Sequence, residues 1–443
     1  MTRKIQKKAV MKDTVIREFF KAFGKNGTAS SDEESDEDQK VSCCFAPGRV
    51  NLIGEHTDYN GGHVFPCALT LGTYGVCRKR DDRLIRIGSV NFPETGVITG
   101  SLDDLAPLAD HGWDAYVKGV IWAFMKRESE ASARNGSGSS RSSDNGSGDS
   151  AISRGLDIMI GGDLPAGAGL SSSASVEVLT GAMLRDQFGL EVSNEEMALI
   201  GQQAENDYVG MKCGIMDQFA SAMGKADSAI YLDTATLEYE YVPLNLGSRK
   251  LIITNTNKKH SLADSAYNDR RRECEEALQV VQSKEALEIL HRSRDTVTAL
   301  GDLTPAEFGN IQNLIKDPVL LRRARHAVTE NQRTKDAVEV LKVGDLAAFG
   351  QLMKGSHISL RDDYEVSCPE LDCLAETAWD VPGVIGSRMT GGGFGGCTVS
   401  IVEEDAVDRF KDVVGNEYRR RFGHDCTFII ESAGDGPKAE ALI

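Results

Sequence analysis

Apolar residues recur along this chain in two rhythms. Short runs rich in Ile, Tyr and Thr stand at 156–164 (LDIMIGGDL), 229–235 (AIYLDTA) and 250–256 (KLIITNT), a pattern that predicts β-strands. Longer stretches with helical spacing alternate with them, and from about 264 to 355 glycine and proline are scarce. Residues 98–104 (ITG followed by LDD) read as a strand end. The following segment, 112–127 (GWDAYVKGVIWAFMKR), reads as an amphipathic helix whose Trp113, Tyr116 and Trp122 are expected in the core. Near the end, 383–404 reads as strand, glycine turn and strand, 406–423 as a helix, and 427–430 as a last strand. Intermixed strands and helices with glycine-rich connections predict an α+β or α/β enzyme of two lobes.

Two stretches break these rhythms. Residues 30–39 (SSDEESDEDQ) hold six acids and no apolar residue, so residues 1–40 are expected to form a charged, flexible appendage. Residues 129–150 (SEASARNGSGSSRSSDNGSGDS) are expected to be a low-complexity insert. The remainder of the 443 residues is long enough for two or three domains with sizeable cores.

Charge and cysteine usage narrow the class. A net charge of −17 argues against a broad nucleic-acid or anionic-membrane surface, which needs a positive field. It does not argue against a small anionic ligand held by local positive groups. No apolar run approaches the ~20 residues of a bilayer span, and the basic start MTRKIQKKAVMKD lacks a signal-peptide core. Ten cysteines without CxxC pairs fit neither a zinc site nor a disulfide scaffold. A reduced, cytoplasmic protein is expected.

Four stretches carry chemistry. The first, PGRVNLIGEHTDYNGG at 47–62, gathers Arg49, Asn51, Glu55, His56, Asp58, Tyr59 and Asn60 beside a short apolar patch. Such a cluster does not fit an ordinary core strand, and its acceptors and donors suit a polyhydroxylated ligand whose buried hydroxyls need partners. In the second, LPAGAGLSSSAS at 164–175, a strand runs through a glycine-rich turn into a helix. Gly167 and Gly169 let backbone amides approach an oxyanion, and Ser171, Ser172 and Ser173 offer hydroxyls to phosphate or magnesium. No Gly-Lys-Ser/Thr follows, so this is not a Walker A loop. A single serine N-cap would explain one of these serines but not three. The third, AENDYVGMKCGIMDQFAS at 204–221, sets Glu205 and Asp217 on either side of a turn. Asp217 lies among Ile215, Met216, Phe219 and Ala220, where a carboxylate needs a partner. The fourth, MTGGGFGGCTV at 389–399, matches GxGxxG, but a strand and not a helix follows. It reads instead as a glycine hairpin that brings backbone close to a ligand or to another lobe.

Together, in this order, the four stretches resemble the GHMP small-molecule kinases, and the first narrows the resemblance to the galactokinase family. NTNKKHSLADSAYNDRRRECEEA at 255–277 is similar to that family's segment with a sugar-binding tyrosine. The resemblance spans roughly 41–435. It implies an α+β fold with two lobes. Residues 41–245 would form an N-terminal lobe like the second domain of ribosomal protein S5, and 246–443 a ferredoxin-like C-terminal lobe. It implies ATP-dependent phosphorylation of the 1-hydroxyl of α-D-galactose, with magnesium, in a monomer that uses neither nucleic acid nor membrane. By the same resemblance Asp217 is the proton acceptor with Arg49 beside it, and Glu55, His56, Asp58, the Gly214 backbone and Tyr267 bind the sugar. Gly167, Ala168, Gly169, Leu170, Ser171, Ser172 and Ser173 would wrap the phosphates, Ser89 would lie near the adenosine, and Ser173 with Glu205 would hold magnesium. Two other readings stay open at this level. One is a non-catalytic galactose sensor; the other is a kinase for N-acetylgalactosamine or arabinose.

Overall fold

The computed structural model describes residues 2–24, 40–107, 112–135, 151–165, 167–258 and 263–442. The first lobe begins with β1 (Val41–Asn51), β2 (His63–Val64), β3 (Pro66–Lys79), β4 (Leu84–Ser89) and β5 (Ile98–Ser101). It continues through β6 (Leu156–Gly162), β7 (Ser228–Asp233) and β8 (Tyr239–Pro243). The second lobe holds β9 (Lys250–Asn255), β10 (Val384–Thr390), β11 (Cys397–Val402) and β12 (Thr427–Glu431), and β13 (Lys438–Ala441) closes the chain. Three sheets result, ordered β13-β1-β3-β6-β4-β5, β10-β11-β9-β12 and β2-β7-β8. All pairings are antiparallel except β4 with β6.

Side chains alternate across a strand, and here both faces of the large sheet are covered. Ile158 and Ile160 of β6 face the helices Ala115–Asn135 and Ser172–Phe188, in one core with Val117, Ile121, Val178 and Met183. Met159 faces the other way and packs with Val41, Cys43 and Val76 against Val15 and Phe19. LDIMIGG therefore reads as a continuous apolar run because it is sandwiched.

Those last two residues correct the flexible appendage expected over 1–40. Thr2–Phe23 is a helix, and Val15 and Phe19 on it are fully buried. Its apolar stripe, Val15, Phe19 and Phe23, keeps an i, i+4, i+8 spacing that the basic composition hid. Arg78 fixes its end, donating to the carbonyls of Phe23 (3.1 Å) and Gly24 (3.3 Å) with its guanidinium over the Phe19 ring. The acidic tract 30–39 lies outside the described residues. The expected insert over 129–150 is likewise shortened, since the helix Ala115–Asn135 runs into it; 136–150 lie outside the described residues.

In the second lobe, Pro369–Trp379 and Val407–Phe422 cover one face of the four-stranded sheet. Pro318–Lys342 and Leu346–Asp362 cover the other. That second core also takes in Val50, Leu52, Ile53 and Phe65, so the two lobes share one apolar interior. The expected division at 245/246 is crossed again at the end. The chain does not stop at β12, because β13 returns to pair with β1 of the first sheet.

Candidate active site

The first chemical stretch starts on a strand after all. Pro47–Asn51 is the end of β1, and its register against β3 shifts between Pro47 and Arg49. Such a bulge re-aims side chains. Arg49, 3% exposed, turns inward and grips Asp217 with both ends of its fork, Nε to Oδ1 at 2.8 Å and Nη2 to Oδ2 at 2.9 Å. Its third nitrogen, Nη1, donates to the Gly169 carbonyl at 2.6 Å. Burial disfavours the guanidinium charge, but Asp217, Glu55 and Asp58 surround it and hold its pKa above the ordinary arginine value.

The glycine-rich turn after β6 brings the phosphate-loop candidate to the same place. Gly167 and Gly169 have φ of 64° and 69°, conformations that favour glycine. Ser171 also has a positive φ, 58°, and its hydroxyl does not cap the helix Ser172–Phe188. It donates instead to Asp217 Oδ2. The N-cap explanation therefore fails even for one serine, since this one is held in a strained conformation beside the carboxylate.

Glu205 sits on a short π-helical turn, Ala204–Val209, an irregularity common at functional sites. Burial, then the charge of Asp217, pushes its carboxyl up to about 7, against hydrogen bonds from Cys213, Ser173 and Gln218. Beyond it Glu177 is almost wholly buried and, through desolvation and the Glu205 charge, held well above the ordinary glutamate value. Gln218 Nε2 bridges the two, at 2.9 Å from Glu177 and 2.6 Å from Glu205.

Asp58 shows the same imbalance. Burial and the nearby charges of Asp217 and Glu55 push it up to about 7 against the amides of Met216 and Tyr59. Gly214 abuts it so tightly that a Cβ there would lie 1.9 Å from Asp58 Oδ2. Glu55 is pinned between lobes by Asn51 Nδ2 (3.0 Å), the Gly391 amide (2.8 Å) and Arg388 Nη1 (3.4 Å). The glycine hairpin thus approaches the other lobe as its sequence suggested; a Cβ on Gly391 would fall 2.7 Å from the Gly169 carbonyl.

One cavity of about 600 Å³ collects these groups. Its walls include Arg49, Glu55, His56, Asp58, Ser89, Gly167, Gly169, Ser171, Ser172, Ser173, Glu205, Gly214, Asp217 and Tyr267. Ala168 and Leu170 are the two anticipated residues that do not line it. Their side chains are buried in the shared core, and only their backbone serves the loop, Leu170 accepting from the Arg49 amide at 3.2 Å. Trp122 and Trp113 pack against the first-lobe core as expected, but Trp113, stacked on Phe92 at 5.8 Å, and Tyr116 also line the cavity. Helical spacing cannot distinguish an aromatic that faces a cleft from one that faces the interior. Cys213, Phe394 and the hairpin glycines Gly391–Gly393 also line it.

This site can accept a hydroxyl proton at Asp217, offer a fixed cation at Arg49, and present loop amides and hydroxyls to an anion. Its excess of carboxylates, most of all Glu205 beside the Ser173 hydroxyl, fits a hard divalent cation. Among the described residues no group of three or more His, Cys, Asp or Glu could hold a metal by itself.

A family model described as the galactokinase galactose-binding signature matches residues 33–79. The GHMP kinase N-terminal and C-terminal domain models match 115–225 and 337–420. Galactokinase of Clostridium acetobutylicum is 51% identical over 394 residues, covering 89% of this chain and 93% of its own. That of Fusobacterium nucleatum is 48% identical over 426 residues, covering 96% and 99%. The crystal structure of Lactococcus lactis galactokinase complexed with galactose superposes with a TM-score of 0.83 at 41% identity, covering 96% of this chain and 99% of that one. Methanococcus jannaschii mevalonate kinase, 16% identical with a TM-score of 0.58 over 89% of this chain and 98% of its own, shares the fold. The chain has the two-lobed α+β fold of the GHMP kinases and belongs to the galactokinase family.

Proposed function

We propose that this protein transfers the γ-phosphoryl group of ATP to the 1-hydroxyl of α-D-galactose, giving galactose 1-phosphate and ADP, the entry step of galactose catabolism. The observation that supports this most is the bidentate Arg49–Asp217 pair, set between the polar 55–58 cluster and the 167–173 loop. Asp217 takes the hydroxyl proton, or the partial charge that develops there. Arg49 holds the Asp217 carboxylate in place with its fork and faces the transferring phosphoryl group. Glu55, His56, Asp58, the Gly214 backbone and Tyr267 meet the sugar hydroxyls.

The loop from Gly167 to Ser173 cradles the phosphates with its amides and the helix N-terminus. Ser89, Trp113 and Phe92 form the nucleoside end, where aromatic rings suit a purine face. Ser173 and Glu205 would hold magnesium, which when bound neutralises charge on the phosphates. No helix among the described residues is long and apolar enough to cross a membrane, and all ten cysteines are free thiols. Both fit a cytoplasmic enzyme, working as a monomer, a part of the reading that its mass in solution tests.

Turnover of ATP and magnesium against a sugar panel tests the reading. Galactose should give the highest kcat/KM and a sugar 1-phosphate product. Sugar binding without phosphorylated product would remove the kinase activity, and a higher kcat/KM for N-acetylgalactosamine would change the substrate.

A further inference from the structure

His56 is held in an unusual way. Its φ of 62° is left-handed, rare for a residue with a side chain, and its carbonyl is anchored by Asn60 Nδ2 at 2.8 Å. The ring is packed among Tyr364 (centroids 4.9 Å apart), Tyr267 (5.5 Å) and Tyr59 (5.9 Å). One ring nitrogen, Nδ1, lies 2.8 Å from the Tyr59 hydroxyl. The other, Nε2, is buried and makes no hydrogen bond of good geometry, although the backbone of Gly392 interacts with the ring, on a residue that lines the cavity beside that glycine.

Behind Tyr59 the contacts continue. The hydroxyls of Tyr59 and Tyr364 are 2.7 Å apart, and the Tyr364 hydroxyl is 3.1 Å from Cys274 Sγ. Tyr364 is fully buried just beyond the helix Leu346–Asp362, and Cys274 lies on Ala263–Val281, both in the second lobe. Arg270 Nε holds the Tyr364 carbonyl at 2.7 Å, so the head of the chain is fixed.

Each member can accept one hydrogen bond and donate one, so the whole chain runs in a single direction. At the head, either Cys274 Sγ or the Tyr364 hydroxyl can donate, so the tail decides the direction. At the tail, Glu55, Asp58 and Asp217 line the cavity and favour an N–H pointing towards them. Burial holds His56 itself neutral, with a pKa lowered to about 3.

We propose that Cys274, Tyr364 and Tyr59 form a hydrogen-bond relay, running from the second lobe into the first, that orients His56 and keeps its proton on Nε2 as a donor to one sugar oxygen. Tyr59 and Tyr364 are then positioning residues for sugar recognition, although neither need touch the sugar. The inference rests on the reading above that His56 meets the sugar. It adds what makes that contact selective, since a fixed donor rejects a sugar with no acceptor at that point.

Tyr59→Phe and Tyr364→Phe each remove only a hydroxyl. For Tyr59→Phe we expect the galactose KM to rise about tenfold, with kcat and the ATP KM within about twofold of wild type. For Tyr364→Phe the KM should rise about threefold, because Tyr59 still reaches Nδ1. The double variant should be no worse than Tyr59→Phe, and in a His56→Gln background Tyr59→Phe should add nothing. ¹⁵N NMR of the histidine rings should show His56 as the Nε2–H tautomer in the wild type and a mixture in Tyr59→Phe, a change that simple loss of packing would not produce.

An unchanged galactose KM in both Phe variants, an Nδ1–H tautomer in the wild type, or equal falls in kcat for galactose and every analogue would overturn the relay. If His56→Gln itself leaves the galactose KM unchanged, the placement of His56 against the sugar is what fails, and the relay falls with it. Normal KM values in the Phe variants beside a raised one in His56→Gln overturn the relay alone.

Discussion

Replacing Asp217 with Asn removes one negative charge and turns one of two acceptor oxygens into a donor. Those oxygens receive Arg49 Nε at 2.8 Å, Arg49 Nη2 at 2.9 Å and Ser171 Oγ at 2.5 Å, so the new amide must face a donor whichever way it lies. Opposite charges ~4 Å apart attract by about 4 kcal/mol at an effective dielectric near ~20. The Asp217 side chain is 28% exposed, which screens part of this, and Glu55 and Asp58 still compensate Arg49. A stability loss of about 1–3 kcal/mol follows, leaving a folded protein. Catalysis should suffer more. Removing a positioned proton acceptor costs about 10²–10⁴ in kcat, or about 3–5 kcal/mol of barrier. The galactose dissociation constant should stay within about threefold, because the 55–58 wall is untouched. ADP release at saturating substrates gives kcat, calorimetry gives sugar binding, and a thermal melt confirms folding. A folded variant that keeps more than about a tenth of wild-type kcat would refute the assignment, leaving Asp217 only as the partner that positions Arg49.

Three further outcomes are expected. Gly214→Ala places a Cβ 1.9 Å from Asp58 Oδ2, so the wall must shift and kcat/KM for galactose should fall by up to about 10²-fold, mainly through KM; an unchanged KM would show that this wall does not meet the sugar. Asp58 is pushed up to about 7 from an ordinary value of 3.8. Between those values the sugar-free protein binds more protons than its unfolded chain, so this group's stabilising contribution is full below ~4 and is lost as pH rises to ~7. A sugar that needs the carboxylate should accordingly bind about tenfold more weakly per pH unit below ~7. Calorimetry across pH 6–8 reads this, and a slope unchanged by Asp58→Asn would exclude Asp58 as its source. Phe19→Ala empties a fully buried position between the N-terminal helix and the sheet and should cost about 3–5 kcal/mol in urea unfolding; a loss below about 1 kcal/mol would mean that the helix does not dock.

Local chemistry was legible in the sequence wherever it forced an unusual choice of residue. Glycines at 167 and 169 mark backbone that a Cβ would strain, and a carboxylate amid Ile215, Met216 and Phe219 announces a partner without naming it. The strands and helices followed from periodicity, and the GxGxxG match at 391–396 fails for the reason its surroundings suggested, since β11 and not a helix follows. Periodicity does not record direction, however. Trp113 and Tyr116 have the spacing of core residues and line the cavity as well; Ala168 and Leu170 sit in the loop and face the core. The N-terminal helix was hidden because eight bases among residues 1–29 outweigh, in composition, an apolar stripe only three residues long.

The sequence by itself determined which residues could do the chemistry and which family the chain resembles, because those depend on residue type and local spacing. Tertiary structure alone decided how they meet. Arg49 reaches Asp217 across 168 residues, and Tyr59 reaches Tyr364 across 305. Those meetings are set by the shared core in which Val50, Leu52 and Phe65 pack with Phe349, Met353 and Val399. Burial there is non-directional and leaves no local signature in the chain, so the geometry it imposes on the polar groups above it appears only once the lobes are packed.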